Sequence, residues 1–275
     1  MAAYRKIDQP EILALLFPPT ENTPSLCPAG AVDITLTAGA ISDISCRFYG
    51  IDKQAPILFY YPSTMVSAAQ LDAIAAQYNQ EGMNFFLAAY RGCSINSGSP
   101  SLALLYEESR AMFPVAMDWL KNSGYTGAVF VMGQSLGSLC AIDTVALNSD
   151  AVKGMILESG IGGTTAFLLA LGVSAQQADI TEAEGFNNAE KMTRIKLATL
   201  IFHGAQDKLV PIAEAEELQA ASAARNKQFS VIPGAERHTV STTGGVLFIR
   251  AIKQFTDTVC GVNTWREKRR SSRRT

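Results

Sequence analysis

Short, continuous apolar runs punctuate the chain at residues 32–36, 44–51, 57–61, 85–90, 128–132, 154–158, 198–202 and 228–232. Most lack the strict alternation of a half-exposed strand, which is the pattern of strands buried on both faces of a mostly parallel sheet. Between the runs lie segments with helical periodicity. In residues 68–80, Leu71, Ile74, Ala75 and Tyr78 recur at three- and four-residue spacing, and 102–122, 135–148, 213–224 and 245–259 read the same way. The first two strands precede any of these helices, and from residue 57 strand and helix alternate. That order predicts an antiparallel entry hairpin feeding a parallel, doubly wound sheet of eight strands flanked by helices. No repeat or low-complexity linker divides the chain, so residues 1–264 read as one domain. The connection 160–196 is longer than a simple crossover and holds a helix-like stretch at 164–171. Placed above the carboxyl ends of the strands, it reads as a small lid; an ordinary crossover helix with an extra turn is the alternative.

Composition narrows the class. Of 275 residues, 48% are hydrophobic and 17% charged, which suits a buried core rather than a disordered chain. The net charge of −2 hides an asymmetry: the last ten residues carry +5, leaving −7 for the rest. An acidic body argues against nucleic-acid binding, which depends on neutralising phosphates. The basic tail, 265–275, reads as a solvated, disordered terminus, with binding of an anionic membrane or nucleic acid as the alternative. The apolar run 12–17 is followed by Pro18 and Pro19 with no small-residue cleavage pattern, so no secretory signal is expected, and no apolar stretch reaches the roughly 20 residues of a membrane span. Five scattered cysteines (Cys27, Cys46, Cys93, Cys140 and Cys260) without a C-x-x-C pair read as reduced thiols of a cytoplasmic protein. With two histidines in the chain, neither a zinc site nor a His-rich metal site is implied, and no cofactor is expected.

One constellation carries chemistry. Gly133-Gln134-Ser135-Leu136-Gly137 is a G-x-S-x-G pattern, entered from the strand 128–132 and followed by a helix-like run. A serine on such a turn is held in a strained backbone conformation with its hydroxyl clear of the sheet, and both glycines are required where backbones cross. A serine hydroxyl needs a base, and the base needs a partner to fix its tautomer. His203 ends the strand 198–202 and reads as packed at the strand mouth, whereas His238 lies on a loop after the last strand that can reach over the sheet. His238 is the expected base. Asp207, on the turn after the penultimate strand, is the expected acid; its other reading is a turn or helix cap. Glu158, at the end of the strand after the elbow, is the alternative acid. The order Ser…Asp…His then places each group on a successive strand end. The developing oxyanion requires two backbone N–H groups. Leu136, at a helix N-terminus, supplies one; Pro62 has no N–H, so Ser63 is the expected second donor and Thr64 the alternative.

These residues resemble the α/β-hydrolase superfamily, and within it the single-domain serine hydrolases that include monoacylglycerol lipases, protein depalmitoylases and related esterases. The resemblance rests on 57–64, on Tyr90-Arg91-Gly92 through Ser97-Gly98-Ser99-Pro100, on 133–137, and on 204–211 with His238. It implies the α/β-hydrolase fold and hydrolysis of a carboxylic ester or thioester of a small-molecule acyl substrate, without a cofactor. A peptidase, a C–C bond hydrolase or a perhydrolase would use the same triad, and a non-catalytic binding protein would keep the fold. Relatives usually carry His-Gly where this chain has Tyr61-Pro62, and a proline there stiffens the oxyanion loop and alters the pocket. Arg91-Gly92 reads as structural.

Overall fold

The computed structural model describes residues 4–18, 26–38, 41–93, 95–96 and 98–262; the basic tail lies outside them. Eight strands form a single sheet: β1 (Ala31–Ala38), β2 (Ile41–Tyr49), β3 (Ile57–Tyr61), β4 (Asn84–Leu87), β5 (Val129–Gln134), β6 (Gly154–Glu158), β7 (Ala198–Gly204) and β8 (Lys227–Ile232). Their spatial order is β1-β2-β4-β3-β5-β6-β7-β8. β1 and β2 form the antiparallel hairpin, β2 joins β4 antiparallel, and β3 through β8 run parallel. The central strands β3, β4, β5 and β6 are buried at every position, which is why they read as unalternating apolar runs.

The helices are α1 (Pro10–Leu16), α2 (Ala68–Gln80), α3 (Leu102–Asn122), α4 (Gly137–Leu147), α5 (Thr164–Ala170), α6 (Asn188–Met192), α7 (Ile212–Ala221) and α8 (Val240–Val259). Alternation along each strand sends side chains to two cores. Tyr61, Val131 and Leu157 pack with residues of α3, α4, α5 and α7. Tyr60, Met132 and Ile156 pack on the other face with residues of α2 and α8. α2 opens on a capping box between Ser67 and Gln70, a signature legible in the sequence.

Two elements depart from the expectation. α8 begins at Val240 rather than 245, because a first turn is joined to the longer helix through Gly245, whose φ of 52° and ψ of −139° are not helical. The apolar run after Arg5 and Lys6 is a helix, α1, with Pro10 in its first turn and Ile12 and Leu16 buried. Just ahead of it, the Asp8 carboxylate accepts from the Leu102 and Ala103 N–H groups at 2.6 and 3.1 Å, tying the N-terminal segment to the start of α3. The connection 160–196 is ordered by α5, a 3₁₀ turn at Glu182–Glu184 and α6. Glu182 caps α5 by accepting from the Thr164 and Thr165 N–H groups at 2.8 and 3.1 Å. No helix among the described residues is long and apolar enough to cross a membrane.

Candidate active site

β5 ends in the elbow. Ser135 has φ 54°, in the left-handed region that a side chain with a Cβ rarely adopts. It is held there from both sides: its N–H donates to the Glu158 carbonyl at 2.8 Å, and its carbonyl accepts from Ser138 at 2.9 Å. The glycines are required by close approach. A Cβ on Gly133 would fall 2.5 Å from the Gly137 oxygen, and one on Gly137 would fall 2.3 Å from the Tyr61 oxygen and 2.6 Å from the Pro62 oxygen. The elbow therefore packs directly on the loop after β3. That contact brings Leu136, at the N-terminus of α4, beside the segment holding Ser63 and Thr64, both buried. Among the described residues, neither the Leu136 nor the Ser63 N–H is taken up by a backbone acceptor. Tyr61 turns away, its hydroxyl 2.9 Å from the Thr144 hydroxyl on α4, and Tyr90 donates to the Pro62 carbonyl at 2.9 Å. The Tyr61-Pro62 pair is thus anchored outside the cavity.

Ser135 faces a cavity of about 210 Å³, walled also by Leu136, Phe167, Leu171, Arg237 and His238, together with Leu15, Leu16 and Pro18 of the N-terminal segment. Neither α1 as a wall nor Arg237 was expected from the sequence. Phe167 and Leu171 come from the connection 160–196, which therefore contributes to the wall of this cavity.

The side chain on the serine is Arg237. Its Nε and Nη2 both donate to Ser135 Oγ, at 2.9 and 2.7 Å. The guanidinium lies over the Phe167 ring, 4.9 Å from the centroid, and Nη1 is buried without a hydrogen-bond partner. Burial lowers the Arg237 pKa to about 10, against the opposing pull of Asp207 and Tyr90, so it stays cationic at neutral pH. His238, the expected base, lines the same cavity from a more exposed position and makes no hydrogen bond to Ser135 or Asp207 in this arrangement. Loss of water around its ring, and then the Arg237 charge, hold its pKa below the ordinary 6.5, while Asp207 pulls the other way. The loop explains which neighbour points inward. Ser159 Oγ donates to the Arg237 carbonyl at 3.1 Å, and the turn closes between Glu236 and Thr239, where the Glu236 N–H donates to the Thr239 hydroxyl at 2.8 Å.

Asp207 takes up the turn-capping reading of the sequence. Oδ1 accepts from the Leu209 and Val210 N–H groups at 3.0 and 2.8 Å, capping the turn, while Oδ2 is buried with no hydrogen-bond partner. His203 is fully buried; its Nε2 lies 2.8 Å from the Val210 carbonyl and 3.7 Å from Asp207 Oδ2. Glu158, the alternative acid, points to the opposite face of the sheet. There it accepts from Gln134 Nε2 at 3.0 Å and from the Ser241 N–H at 3.2 Å, and it borders a second cavity of about 220 Å³ between α2 and α8. Burial raises its pKa to about 7, with both hydrogen bonds opposing. Arg91 pairs with the buried Glu108 at 2.8 Å, holding the loop after β4.

No family model matches the chain. Among curated proteins it is 25% identical over 218 residues to the alpha/beta hydrolase domain-containing protein WAV2 of Arabidopsis thaliana, covering 72% of this chain and 68% of that one. It is 26% identical over 188 residues to protein bem46 of Schizosaccharomyces pombe, covering 66% of this chain and 61% of the relative, so it spans less than two thirds of that protein's length. Among solved structures, Est1E from Butyrivibrio proteoclasticus superposes with a TM-score of 0.64 at 15% identity, covering 83% of this chain and 99% of that one. A Pyrococcus furiosus esterase gives 0.65 at 16% identity, covering 83% and 91%. With the strand order, the left-handed serine between β5 and α4 and these likenesses in agreement, the chain has the α/β-hydrolase fold.

Proposed function

We propose that the chain is a serine hydrolase that cleaves a carboxylic ester or thioester of a small acyl substrate through an acyl-enzyme on Ser135. The observation that carries this reading is the left-handed Ser135, strained at φ 54° and facing a cavity at the N-terminus of α4. Such strain costs on the order of 1–3 kcal/mol, persists where the surrounding structure over-determines it, and clusters at active sites. In the reaction, Ser135 Oγ attacks the carbonyl carbon as His238 takes its proton. The Leu136 and Ser63 N–H groups receive the oxyanion, and His238 returns the proton to the departing alcohol or thiol. Water then repeats the sequence on the acyl-enzyme, releasing the acid and freeing Ser135. Asp207 Oδ2, buried and without a hydrogen-bond partner, suits the role of receiving the imidazole N–H and stabilising the imidazolium. His238 must swing toward Ser135 as Arg237 gives up its two hydrogen bonds, since a guanidinium cannot accept the serine proton. Five free thiols fit a reducing compartment such as the cytoplasm.

The clasp of Arg237 on Ser135 favours a second reading, an α/β-hydrolase-fold binding protein whose serine is not turned over. A fluorophosphonate probe and short-chain p-nitrophenyl esters separate the two. Wild type should label and turn over, and Ser135→Ala should do neither. Labelling of Ser135→Ala equal to wild type would remove Ser135 from the mechanism, and an unreactive wild type would favour the binding protein.

A further inference from the structure

Arg237 is a cation buried at the nucleophile with its hydrogen bonding incomplete. It is 6% exposed, forms no ion pair among the described residues, and holds Nη1 buried with nothing to donate to. Its two bonds go to a neutral hydroxyl. A buried, unpaired charge is costly, and an arriving anion removes that cost. Resting on the hydrolase reading above, we infer that Arg237 is the specificity residue of the cavity and that the substrate is an ester carrying a carboxylate close to its scissile carbonyl.

The geometry sets the class. Nη1 and Nη2 form the fork that pairs with both oxygens of a carboxylate. Nη2 is 2.7 Å from Ser135 Oγ, so a carboxylate on that fork sits beside the attacking oxygen. Attack requires the carbonyl carbon at about 3–3.5 Å from Oγ, and charge-assisted N–H···O bonds span about 2.7–2.9 Å; with Nη2 2.7 Å from Oγ, the carboxylate oxygen and the carbonyl carbon lie within roughly 9 Å of each other. That span takes in a short dicarboxylic acid monoester. The cavity of about 210 Å³ agrees, being below the roughly 300 Å³ at which ligand pockets for larger molecules begin. The walls contribute the rest: Phe167 stacks on the guanidinium and Leu171 covers the apolar link between the two carbonyl groups.

Binding and activation are then coupled. A carboxylate on Nη1 and Nη2 withdraws Nη2 from the serine, and neutralises one of the two influences that hold the His238 pKa down. Ser135 keeps its proton until His238 removes it, so no charge is lost or gained in the exchange. A neutral ester leaves the clasp closed.

The test compares monoethyl succinate with its neutral isostere ethyl 4-methylpentanoate, following acid release at pH 7.5. Wild type should favour the succinate by about 10- to 100-fold in kcat/KM, the range expected for hydrogen bonds to a charged group. Arg237→Met should erase the preference, and Arg237→Lys, keeping the charge but not the fork, should retain part of it. Equal turnover of both esters by wild type, or a preference that survives in Arg237→Met, overturns the inference and leaves the hydrolase reading intact. If neither ester is cleaved and no fluorophosphonate label is taken, the hydrolase reading is what fails. Calorimetry with monoethyl succinate then decides the anion site: binding weakened tenfold or more by Arg237→Met supports it, and no binding to wild type overturns it.

Discussion

Glu158 offers the sharpest physical test of the structure, because its environment fixes both the sign and the size of an effect. Its carboxyl is buried behind the elbow, 1% exposed, with Tyr60 and Tyr78 as its titratable neighbours. Both phenols are pushed further up by burial and stay neutral across the range considered. Glu158 itself is raised from 4.5 to about 7. The unfolded chain therefore releases this proton near pH 4.5, while the folded chain keeps it until about 7. Between those values the folded state binds more protons, so stability falls as pH rises and is fully reduced above about pH 8. The reduction is about 3 kcal/mol, at roughly 1.4 kcal/mol for each tenfold change in proton affinity. Glu158→Gln cannot ionise, and its amide oxygen can accept the same two bonds from Gln134 and Ser241. With about 2.1 cal/mol/K of unfolding entropy per residue, that energy corresponds to about 5 °C in Tm for a chain of this length. Thermal melts of the two proteins from pH 4 to pH 8.5 should show a difference that grows with pH in favour of Glu158→Gln, by about that amount. A difference that is constant across the range would refute the assigned ionisation.

The remaining predictions concern the site and the N-terminal segment. The pH profile of kcat/KM should rise with pH through an inflection below the ordinary histidine value of 6.5, and Arg237→Met should move that inflection upward by removing a neighbouring positive charge; an inflection unmoved by the substitution would sever Arg237 from His238. Gly137→Ala should cost about 1–3 kcal/mol in chemical denaturation and strongly reduce fluorophosphonate labelling, since the added Cβ meets the Tyr61 carbonyl at 2.3 Å; wild-type stability and labelling would contradict the close packing of elbow and loop. Asp8→Ala should lower stability by about 0.5–2 kcal/mol, the usual range for losing a helix cap, and speed proteolytic cleavage near α1; unchanged cleavage kinetics would show that Asp8 does not hold that segment.

The sheet was legible because burial on both faces leaves a trace that needs no tertiary knowledge. Strands β3 and β6 have the expected bounds, and the others differ at their ends, where pairing rather than composition decides. The elbow was legible for a similar reason: two glycines and a serine between strand and helix admit few backbone paths. α1 was harder, since a short apolar run before two prolines has no periodicity to measure, and its helix is held by burial of Ile12 and Leu16 and by the neighbouring Asp8 tie to α3.

By itself the sequence determined the order of strands and helices, the strained turn at Ser135, and the placement of Asp207 and His238 after β7 and β8. These follow from interactions between near neighbours along the chain. Only the tertiary structure decided that Glu158 faces away from the serine, which required knowing which face of β6 each side chain takes relative to α2 and α8. It alone decided that Arg237 rather than His238 rests on Ser135. Adjacent residues on a tight loop point in different directions, and here the choice is set by Ser159 holding the Arg237 carbonyl and by a turn closed between Glu236 and Thr239. The first of those contacts joins positions 78 residues apart, beyond the reach of any local pattern.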